Sequence, residues 1–351
     1  MKLAALLAAG SLLATGPAAP RYPTITGPVP LTLPADQGAH PDYRTEWWYV
    51  TGWLKTATGE ELGFQVTFFR TRPGVAEDNP SRFAPTQVLF AHAALSDPAL
   101  GRIRTAERSA RAGFGIASAK VGDIDVGLAD WRLVRRPDGT LGARAAGEDF
   151  ALNLNLTPTQ SPIRQGIDGY SRKGSDPTQA SRYLSVPQLA VSGTVRRGQG
   201  SERVTGTAWL DQEWSSDLLS PGAVGWDWTG LNGDDGSALM AFRIRRADGS
   251  SLWAGGGWRD PQGRFTALTP DDVRFRPLAW WVSPRTGGRY PVRQELTVRL
   301  PDGLRRLVLT PLFADQELSG GVLPVYWEGA VRTKGGRGYL ELTGYAGKLE
   351  M

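Results

Sequence analysis

Cysteine is absent from all 351 residues, and histidine occurs only twice, at His40 and His92. Without cysteine the chain can form no disulfide bond and can carry no lipid on a cysteine side chain. Two histidines offer few ligands for zinc, although the pair together with Glu46 or Asp211 could complete a site. We predict no metal site and no cofactor.

Long apolar runs and helical periodicity are also missing. After residue 20, no segment keeps a helical period, and no run is apolar and long enough to span a bilayer. Glycine (44) and proline (25) are abundant, and Pro-Asp-Gly occurs at 137–139 and 301–303. Such residues punctuate short strands and tight turns. The predicted fold class is therefore all-β.

The net charge of +5 comes from arginines that are scattered among acidic residues, without a long basic run. Because nucleic-acid binding needs a concentrated basic patch, we do not expect a nucleic-acid partner.

The first residues have the pattern of an export signal. Lys2 precedes an apolar run rich in alanine and leucine, and small residues and prolines follow to Pro20. This pattern predicts a secretory signal peptide over residues 1–19, with cleavage near Ala18 or Ala19. A buried first strand is the alternative. With the signal, the mature protein is expected to be periplasmic or secreted, and not membrane-spanning.

The densest stretch runs from His40 to Gly52 and contains three consecutive large aromatic residues followed by Val-Thr-Gly. These residues have strand propensity, and Gly63 to Arg70 reads as the returning strand of a hairpin. Thirteen tryptophans in the whole chain are consistent with a wide and rigid core or pocket.

Several segments recur in the same order, which predicts an internal repeat. Trp48 to Gly52 is echoed by Trp226 to Gly230, and Phe68 to Arg70 by Ala241 to Arg243. We predict two β-rich domains, at residues 20–218 and 219–351. Each has strands enough for an up-and-down barrel, and a barrel of eight strands can hold one small apolar ligand.

A resemblance to a known family rests on motifs that cover nearly everything after residue 30. They are His40 with Arg44 to Gly52, Gly63 to Arg70, Phe90 to Asp97, Ser171 to Gly174, Ala208 to Trp214, Gly225 to Trp228, Asp315 to Leu318, Tyr326 to Gly329 and Tyr339 to Tyr345. The chain resembles the lipocalin-like family of carotenoid 1,2-hydratases and AttH-type secreted proteins, and is closer to the AttH branch.

The resemblance implies two packed lipocalin-like β domains, and an envelope transporter as a partner. In the hydratases an aspartate acts as acid and base, and Asp227 matches it. Gln212 stands where the family has histidine. Because an amide does not titrate, a proton relay through that side chain would be lost.

Asp227 and Glu46 are the candidate catalytic residues. A carboxyl in an apolar barrel keeps its proton and can act as an acid. The alternatives are structural, with Asp227 bonded to Arg243 and Glu46 to Arg70. By strand alternation, either Glu46 lies in the interior beside Trp48, or Tyr49 points inward.

Asp211 and Glu213 share a strand face with Trp209, while Gln212 and Trp214 take the other face. The two carboxylates could form a site, but we favour contacts with the neighbouring domain. That interpretation predicts that the second repeat lacks the pair. No Gly-x-Ser-x-Gly elbow supports a serine hydrolase.

Taken together, the sequence favours an exported protein that binds an apolar small molecule of lipid or isoprenoid type. The alternative is a hydratase, lyase or isomerase that acts on such a molecule by acid catalysis from Asp227. The expected ligand contacts are Trp48, Tyr49, Arg70, His92, Trp209, Gln212, Trp214, Trp226, Trp228 and Tyr326.

Overall fold

The computed structural model describes residues 22–75, 77–319, 321 and 324–349. The predicted signal peptide at residues 1–19 lies outside the described residues. Within them, helix is confined to three short 3₁₀ segments, at Ala35–Gln37, Pro98–Leu100 and Pro270–Asp272. The all-β prediction is confirmed.

The strands form two large antiparallel sheets. The first sheet contains β1 (Thr45–Thr56), β2 (Glu61–Thr71), β3 (Val88–Asp97), β4 (Arg102–Arg111), β5 (Ala117–Ala119), β6 (Asp125–Leu128), β7 (Trp131–Arg135), β8 (Leu141–Ala146), β9 (Phe150–Thr157), β10 (Ile163–Arg164), β11 (Tyr170–Arg172), β12 (Ala180–Arg197) and β13 (Gly200–Asp217). The second contains β14 (Gly225–Gly233), β15 (Ala238–Arg245), β16 (Ser251–Arg259), β17 (Phe265–Leu268), β18 (Val273–Val282), β19 (Arg289–Leu300), β20 (Gly303–Pro311), β21 (Glu317–Leu318), β22 (Tyr326–Thr333) and β23 (Gly336–Thr343).

Each sheet is built around the same arrangement of strands. The first has the order β4-β3-β2-β1-β13-β12-β9-β8-β7-β6-β5, and the second the order β17-β16-β15-β14-β23-β22-β20-β19-β18. In both, the first strand of the sheet lies between its hairpin partner and the last strand. The two sheets therefore repeat one plan, and they give the lipocalin-like architecture that the sequence predicted. The predicted boundaries at 218 and 219 remain a prediction.

Alternate residues of the central strands pack into different cores. Trp48 and Val50 of β1 belong to the core of the first sheet, whereas Tyr49 and Trp53 belong to a core between the two sheets. Gly63 of β2 permits the close approach of the sheets, since a Cβ there would lie 2.6 Å from the Tyr339 hydroxyl. The two sheets are thus in direct contact at this position.

The register of the repeat differs from the one predicted by sequence. Glu46 faces Arg70 across β1 and β2, and Asp227 faces Arg243 across β14 and β15. Asp227 therefore corresponds to Glu46, and its predicted alignment with Tyr49 is wrong. Because Glu46 and Tyr49 are separated by an odd number of positions, this error places the aligned residues on opposite faces of the sheet.

The second sheet also has a counterpart of one of the two neighbouring carboxylates of β13. Glu213 lies opposite Trp47, and Glu341 lies opposite Trp228, at matching places in the two sheets. Glu341 is thus the counterpart of Glu213. The second repeat lacks the pair of carboxylates, since Tyr339 stands two positions before Glu341 where the first sheet has Asp211, but it keeps one of the two.

Candidate functional site

A cavity of about 830 Å³, including the part open to solvent, lies between the two sheets. We call it the inner chamber. It is lined by Thr45, Trp47, Tyr49, Gln65, Phe69, Lys173, Tyr183, Asp211, Glu213, Leu218, Leu219, Trp226, Trp228, Phe242, Ile244, Tyr326, Glu328 and Glu341. A wider cavity, here called the mouth, shares Thr45, Phe69, Leu218, Leu219, Trp226, Tyr326 and Glu341 with it. The chamber therefore opens outward through the mouth.

Strand alternation explains which residues reach the chamber. Asp211 and Glu213 are two apart on β13, and Tyr326 and Glu328 are two apart on β22. Each pair therefore projects from one face of its strand. Glu341 lies directly opposite Glu328 in the β22–β23 ladder. Four carboxyls from two sheets thus face one cavity.

Aromatic side chains form much of the chamber wall and hold each other by edge contacts. The rings of Tyr49 and Trp228 lie 5.2 Å apart in a T-shaped arrangement. The Trp228 Nε1 group donates a hydrogen bond of 2.8 Å to the Tyr183 hydroxyl. With Phe242, Ile244, Leu218 and Leu219, these groups give a largely apolar wall.

Asp211 accepts hydrogen bonds only from neutral groups among those described. The donors are the Tyr183 hydroxyl at 2.6 Å, the Ser185 hydroxyl at 2.5 Å and the Trp209 indole at 2.7 Å. Burial raises the pKa of Asp211 to about 7, although these donors oppose the change. All three donors belong to the first sheet, so the predicted contact with backbone groups of the other domain is not seen.

Glu213 differs because it has a cationic partner. Its Oε1 lies 2.7 Å from Lys173 Nζ, and it also accepts a hydrogen bond from the Ser181 hydroxyl. The ammonium lies 4.3 Å from the Phe242 ring centroid and 4.7 Å from that of Tyr183. Lys173 is the only cationic side chain in the described lining of the chamber. The two charges compensate each other locally.

Glu328 and Glu341 form a pair of buried acids without a cation beside them in the chamber lining. Glu328 Oε1 accepts a hydrogen bond from the Tyr49 hydroxyl, and Glu328 Oε2 is buried without a hydrogen-bond partner. Burial, and then the charge of Glu341, raises the pKa of Glu328 well above its ordinary value. Burial raises the pKa of Glu341 to about 7, against a hydrogen bond from the Trp226 side chain.

A chain of side chains joins the chamber to the surface of β4. The Tyr326 oxygen lies 2.7 Å from His92 Nδ1, and His92 Nε2 lies 3.5 Å from Glu107 Oε2. The Gln65 amide donates to the same Tyr326 oxygen at 3.0 Å. Burial lowers the pKa of His92 to about 4, so its imidazole is neutral at physiological pH.

The predicted ligand contacts separate into distinct groups. Tyr49, Trp226, Trp228 and Tyr326 line the chamber. Arg70 and His92 line the mouth. Trp209 lies behind the chamber, where it donates to Asp211.

Trp48, Glu46, Gln212 and Trp214 belong to a network of the first sheet and do not line the chamber. Glu46 Oε2 lies 3.2 Å from Arg70 Nε, so the predicted structural pair is present. Glu46 Oε1 lies 2.7 Å from His40 Nδ1 and accepts from the Gln212 amide at 3.3 Å.

The Gln212 side chain therefore belongs to this network. Its amide contacts Glu46 and no residue of the chamber lining. Trp214 stacks on His40 with ring centroids 3.7 Å apart, and the Trp48 indole donates to the Gln37 carbonyl at 3.0 Å.

Asp227 is fully buried in the second sheet, away from the chamber lining. It lies 2.8 Å from Arg243 Nη2 and 2.8 Å from Arg245 Nε, and the Tyr345 hydroxyl donates to it at 2.9 Å. The predicted structural alternative, a bond to Arg243, is therefore present. The geometry gives Asp227 no access to a ligand in the chamber.

The chain matches the AttH-like family model over residues 24–345. The chain belongs to the AttH-like family. A Nitrosomonas europaea protein assigned to AttH has a crystal structure with a TM-score of 0.83 and 48% sequence identity, covering 92% of this chain and 99% of that one. Kievitone hydratase from Nectria haematococca is similar in fold, with a TM-score of 0.69 and 13% identity, covering 94% and 99%. No curated protein matches by sequence.

Besides Asp211 and Glu213, four titratable chamber residues of this AttH-like chain were not predicted as site residues: Lys173, Tyr183, Glu328 and Glu341. Lys173 lies in the long polar loop from Ile167 to Pro177, whose length was itself a signal of function. Glu328 and Glu341 lie inside apolar strands, where a lone carboxyl requires an explanation. Each of these signals was present in the sequence, but none indicated that the residues meet.

Among the described residues, no group of three or more histidine, aspartate or glutamate side chains is arranged to hold a metal ion. No described helix is both long and apolar enough to cross a membrane.

Proposed function

We propose that this AttH-like protein is an enzyme that uses acid catalysis on an apolar substrate of isoprenoid type, as a hydro-lyase or isomerase. The observation that carries the proposal is the Glu328–Glu341 pair, which is buried at the wall of an aromatic chamber. The similarity in fold to an enzyme named kievitone hydratase agrees with this choice of chemistry.

The pair is suited to hold a proton at neutral pH. Two carboxylates directly opposite each other on neighbouring strands repel, and in an apolar setting they cannot both be ionised without a large cost. Glu328, whose pKa is raised well above its ordinary value by burial and by the charge of Glu341, is the group to which we assign the proton. Its unpartnered Oε2 is the atom from which a proton can be donated.

The chemistry follows from these positions. Glu328 donates the proton of Oε2 to one carbon of a double bond, a C–H bond forms, and the other carbon becomes a tertiary cation. The faces of Trp226 and Trp228 stabilise the positive charge. In hydration, water adds to the cation and its proton passes to the carboxylate of Glu341. In isomerisation, Glu341 takes a proton from a neighbouring carbon instead.

Asp227 is unsuited to this role because it already serves two guanidinium groups. Its oxygens are bonded to Arg243, Arg245 and the Tyr345 hydroxyl, and it does not line the chamber, so it cannot reach a substrate there. Asp211 is the alternative acid of the first sheet, with a pKa of about 7. Its oxygens are occupied by three donors, whereas Glu328 has a free oxygen.

Solvent-isotope incorporation tests the proposal even when the product is unidentified. The mature protein is incubated in D₂O with a panel of isoprenoid alkenes and tertiary alcohols, and deuterium on carbon is measured by mass spectrometry. Incorporation should fall about 10²- to 10⁴-fold in Glu328→Gln, which is the usual contribution of a general acid. Glu341→Gln should also reduce it.

Glu317→Gln provides a matched control for these variants. Glu317 is a buried carboxyl bonded by the hydroxyls of Ser283, Thr286 and Tyr290, with Arg285 Nη2 3.4 Å away, and it does not line the chamber. Its variant should keep full incorporation. Equal losses in Glu317→Gln and Glu328→Gln would refute acid catalysis from the chamber.

A carrier function for an apolar lipid or isoprenoid is the second candidate, and the aromatic chamber wall favours it. Both functions need the chamber, but only the enzyme needs the proton of Glu328. Mass spectrometry of an organic extract of the purified protein identifies a retained ligand. A carrier should retain the same ligand in Glu328→Gln, with no isotope incorporation in any variant.

Export to the periplasm or medium, and partnership with an envelope transporter, remain proposals that rest on the sequence. N-terminal sequencing of the protein recovered from the periplasmic fraction tests the first. A chain that begins near Pro20 in that fraction supports export, and a chain that retains Met1 in the cytoplasm contradicts it.

A further inference from the structure

The strand ends around the mouth lie at one end of the first sheet. Thr45 at the start of β1 pairs with Thr71 at the end of β2, Thr71 with Val88 at the start of β3, and Val88 with Arg111 at the end of β4. Thr45 and Thr71 line the mouth. The described segments that leave this end, residues 72–75, 77–87 and 112–116, therefore lie at the same end of the sheet as the mouth.

These two segments expose large apolar side chains instead of burying them. Phe83 is 62% exposed, Phe114 47% and Ile116 54%. The Phe83 and Phe114 rings stack with centroids 5.0 Å apart, although they come from different segments. The Arg111 guanidinium donates to the Phe83 carbonyl at 3.0 Å, which ties the two segments together. The stacked Phe83 and Phe114 rings, together with Ile116 two residues beyond Phe114, are here called the aromatic tip.

Arginines surround the aromatic tip. The guanidinium of Arg111 lies 4.9 Å from the Phe83 ring centroid, and that of Arg82 lies 5.7 Å from the Phe114 centroid. Both arginines are exposed. Of the acidic residues in the same segment, Glu77 is 2.5 Å from Arg72, which compensates its charge, and Asp78 adds one further negative charge. The tip thus combines exposed aromatic rings with net positive charge.

We propose that the aromatic tip docks the protein on the surface of an anionic lipid membrane, with the mouth of the chamber beside the bilayer. Aromatic rings flanked by arginines suit the boundary between head groups and acyl chains, and basic residues are attracted to anionic lipids. The tip contains three large apolar side chains, which is small for a protein interface of about 800 Å² on each partner. Binding to a membrane surface can combine a smaller buried apolar area with electrostatic attraction to anionic lipids.

The placement gives an apolar ligand a direct path. A molecule dissolved in the acyl region would pass the tip and enter the mouth without crossing water. Docking is independent of the chemistry proposed above, since none of the tip residues lines the chamber.

Vesicle flotation tests this surface. The mature wild-type protein should float with vesicles of mixed phosphatidylcholine and phosphatidylglycerol. It should bind at least tenfold more weakly to phosphatidylcholine alone, and binding should weaken as salt increases. The double variant Phe83→Ser/Phe114→Ser should lose at least tenfold in apparent affinity for the mixed vesicles. Arg82→Ser/Arg111→Ser should lose the preference for the anionic lipid.

Leu304→Ser is the matched control, because Leu304 is 54% exposed in the second sheet and lies outside the tip. It should bind as the wild type does, and melting temperatures verify that all variants are folded. Absence of wild-type binding to the mixed vesicles would overturn the proposal, as would an equal loss in Leu304→Ser. A change of oligomeric mass in the phenylalanine double variant, with vesicle binding unaltered, would instead assign the tip to contact between copies.

The assay for isotope incorporation separates this inference from the proposed function. With a substrate dispersed in detergent, the tip variants should keep wild-type incorporation, because the chamber is intact. Loss of incorporation in all proteins would refute the enzyme and leave the flotation result standing.

Discussion

Buried acids occur in two settings in this molecule, and their partners differ. Inside the sheets, Glu46 and Asp227 are each fully buried and paired with arginine. Between the sheets, Asp211 and Glu328 are equally buried and Glu341 is half-buried, but all three receive hydrogen bonds only from described hydroxyl and indole groups. Burial is common to both settings, so it does not distinguish a structural acid from a catalytic one. The neighbouring group does.

Loss of charge should have different consequences in the two settings. A carboxylate between arginines compensates their charge. Its removal leaves the arginines buried without a counter-charge, which is costly in the low dielectric of the interior. A carboxyl that already holds a proton at neutral pH can be replaced by an amide with little electrostatic change. The same substitution should therefore cost much more stability inside a sheet than between the sheets.

The largest expected effect is that of Asp227→Asn on stability. The variant leaves Arg243 and Arg245 without a counter-charge in the second sheet. We expect a loss of about 3–5 kcal/mol in the free energy of unfolding, the usual cost of breaking a buried pair. Urea unfolding at neutral pH measures it. A loss no greater than that of Glu328→Gln would contradict the distinction between the two settings.

Lys173→Met tests the one chamber acid that has a cation. Because Glu213 would lose its partner at 2.7 Å, we expect a loss of about 2–4 kcal/mol, closer to the effect at Asp227 than to that at Glu328. The double variant Lys173→Met/Glu213→Leu should recover part of that stability, and urea unfolding of all three proteins gives the coupling. A double variant no more stable than the single one would count against the ion pair.

The third prediction concerns the pH dependence of stability. The pKa of Glu341 rises on folding from 4.5 to about 7, so the native state binds more protons than the unfolded chain between these values. The free energy of unfolding therefore gains this contribution at low pH and loses it as pH rises through that window. Glu341→Gln should remove about 1–3 kcal/mol of the change, on a scale of about 1.4 kcal/mol for each pKa unit.

Unfolding curves at a series of pH values from about 4 to about 8 provide the measurement. The matched variant Glu317→Gln should leave the Glu341 contribution in place. Parallel curves for the wild type and Glu341→Gln would mean that the pKa of Glu341 is the same in the native and unfolded states, and would contradict the prediction.

Trp226→Phe gives the smallest effect. The indole hydrogen bond lowers the pKa of Glu341, so its loss should raise that pKa by at most about one unit. The midpoint of the Glu341 contribution should move to higher pH while the fold is retained. NMR titration of the labelled carboxyl carbon reports the shift directly, and a move to lower pH would reverse the assigned role of the indole.

The sequence predicts much of the fold because strand patterns are local. The hairpin that contains Glu46 and Arg70, the all-β class and the existence of a repeat follow from alternation and turn residues. The pairs of Glu46 with Arg70 and Asp227 with Arg243 follow from the same register. The resemblance to AttH-type proteins extends this to the whole architecture.

The chamber could not be predicted in the same way. It depends on the register that aligns the two repeats and on contacts between residues of different sheets, and local strand patterns determine neither. An alignment of Tyr49 with Asp227 and one of Glu46 with Asp227 have similar sequence support, but they place Asp227 on opposite faces. The meeting of Glu328 with Tyr49 joins residues of different sheets. Local patterns carry no information on that contact.

The most direct test of the account is the infrared spectrum of the carbonyl stretch of protonated carboxyls at neutral pH, compared between wild type and variants. The wild-type spectrum should contain a band from protonated carboxyls, and this band should lose intensity in Glu328→Gln. A wild-type spectrum without this band would contradict the claim that the acids between the sheets hold protons for catalysis.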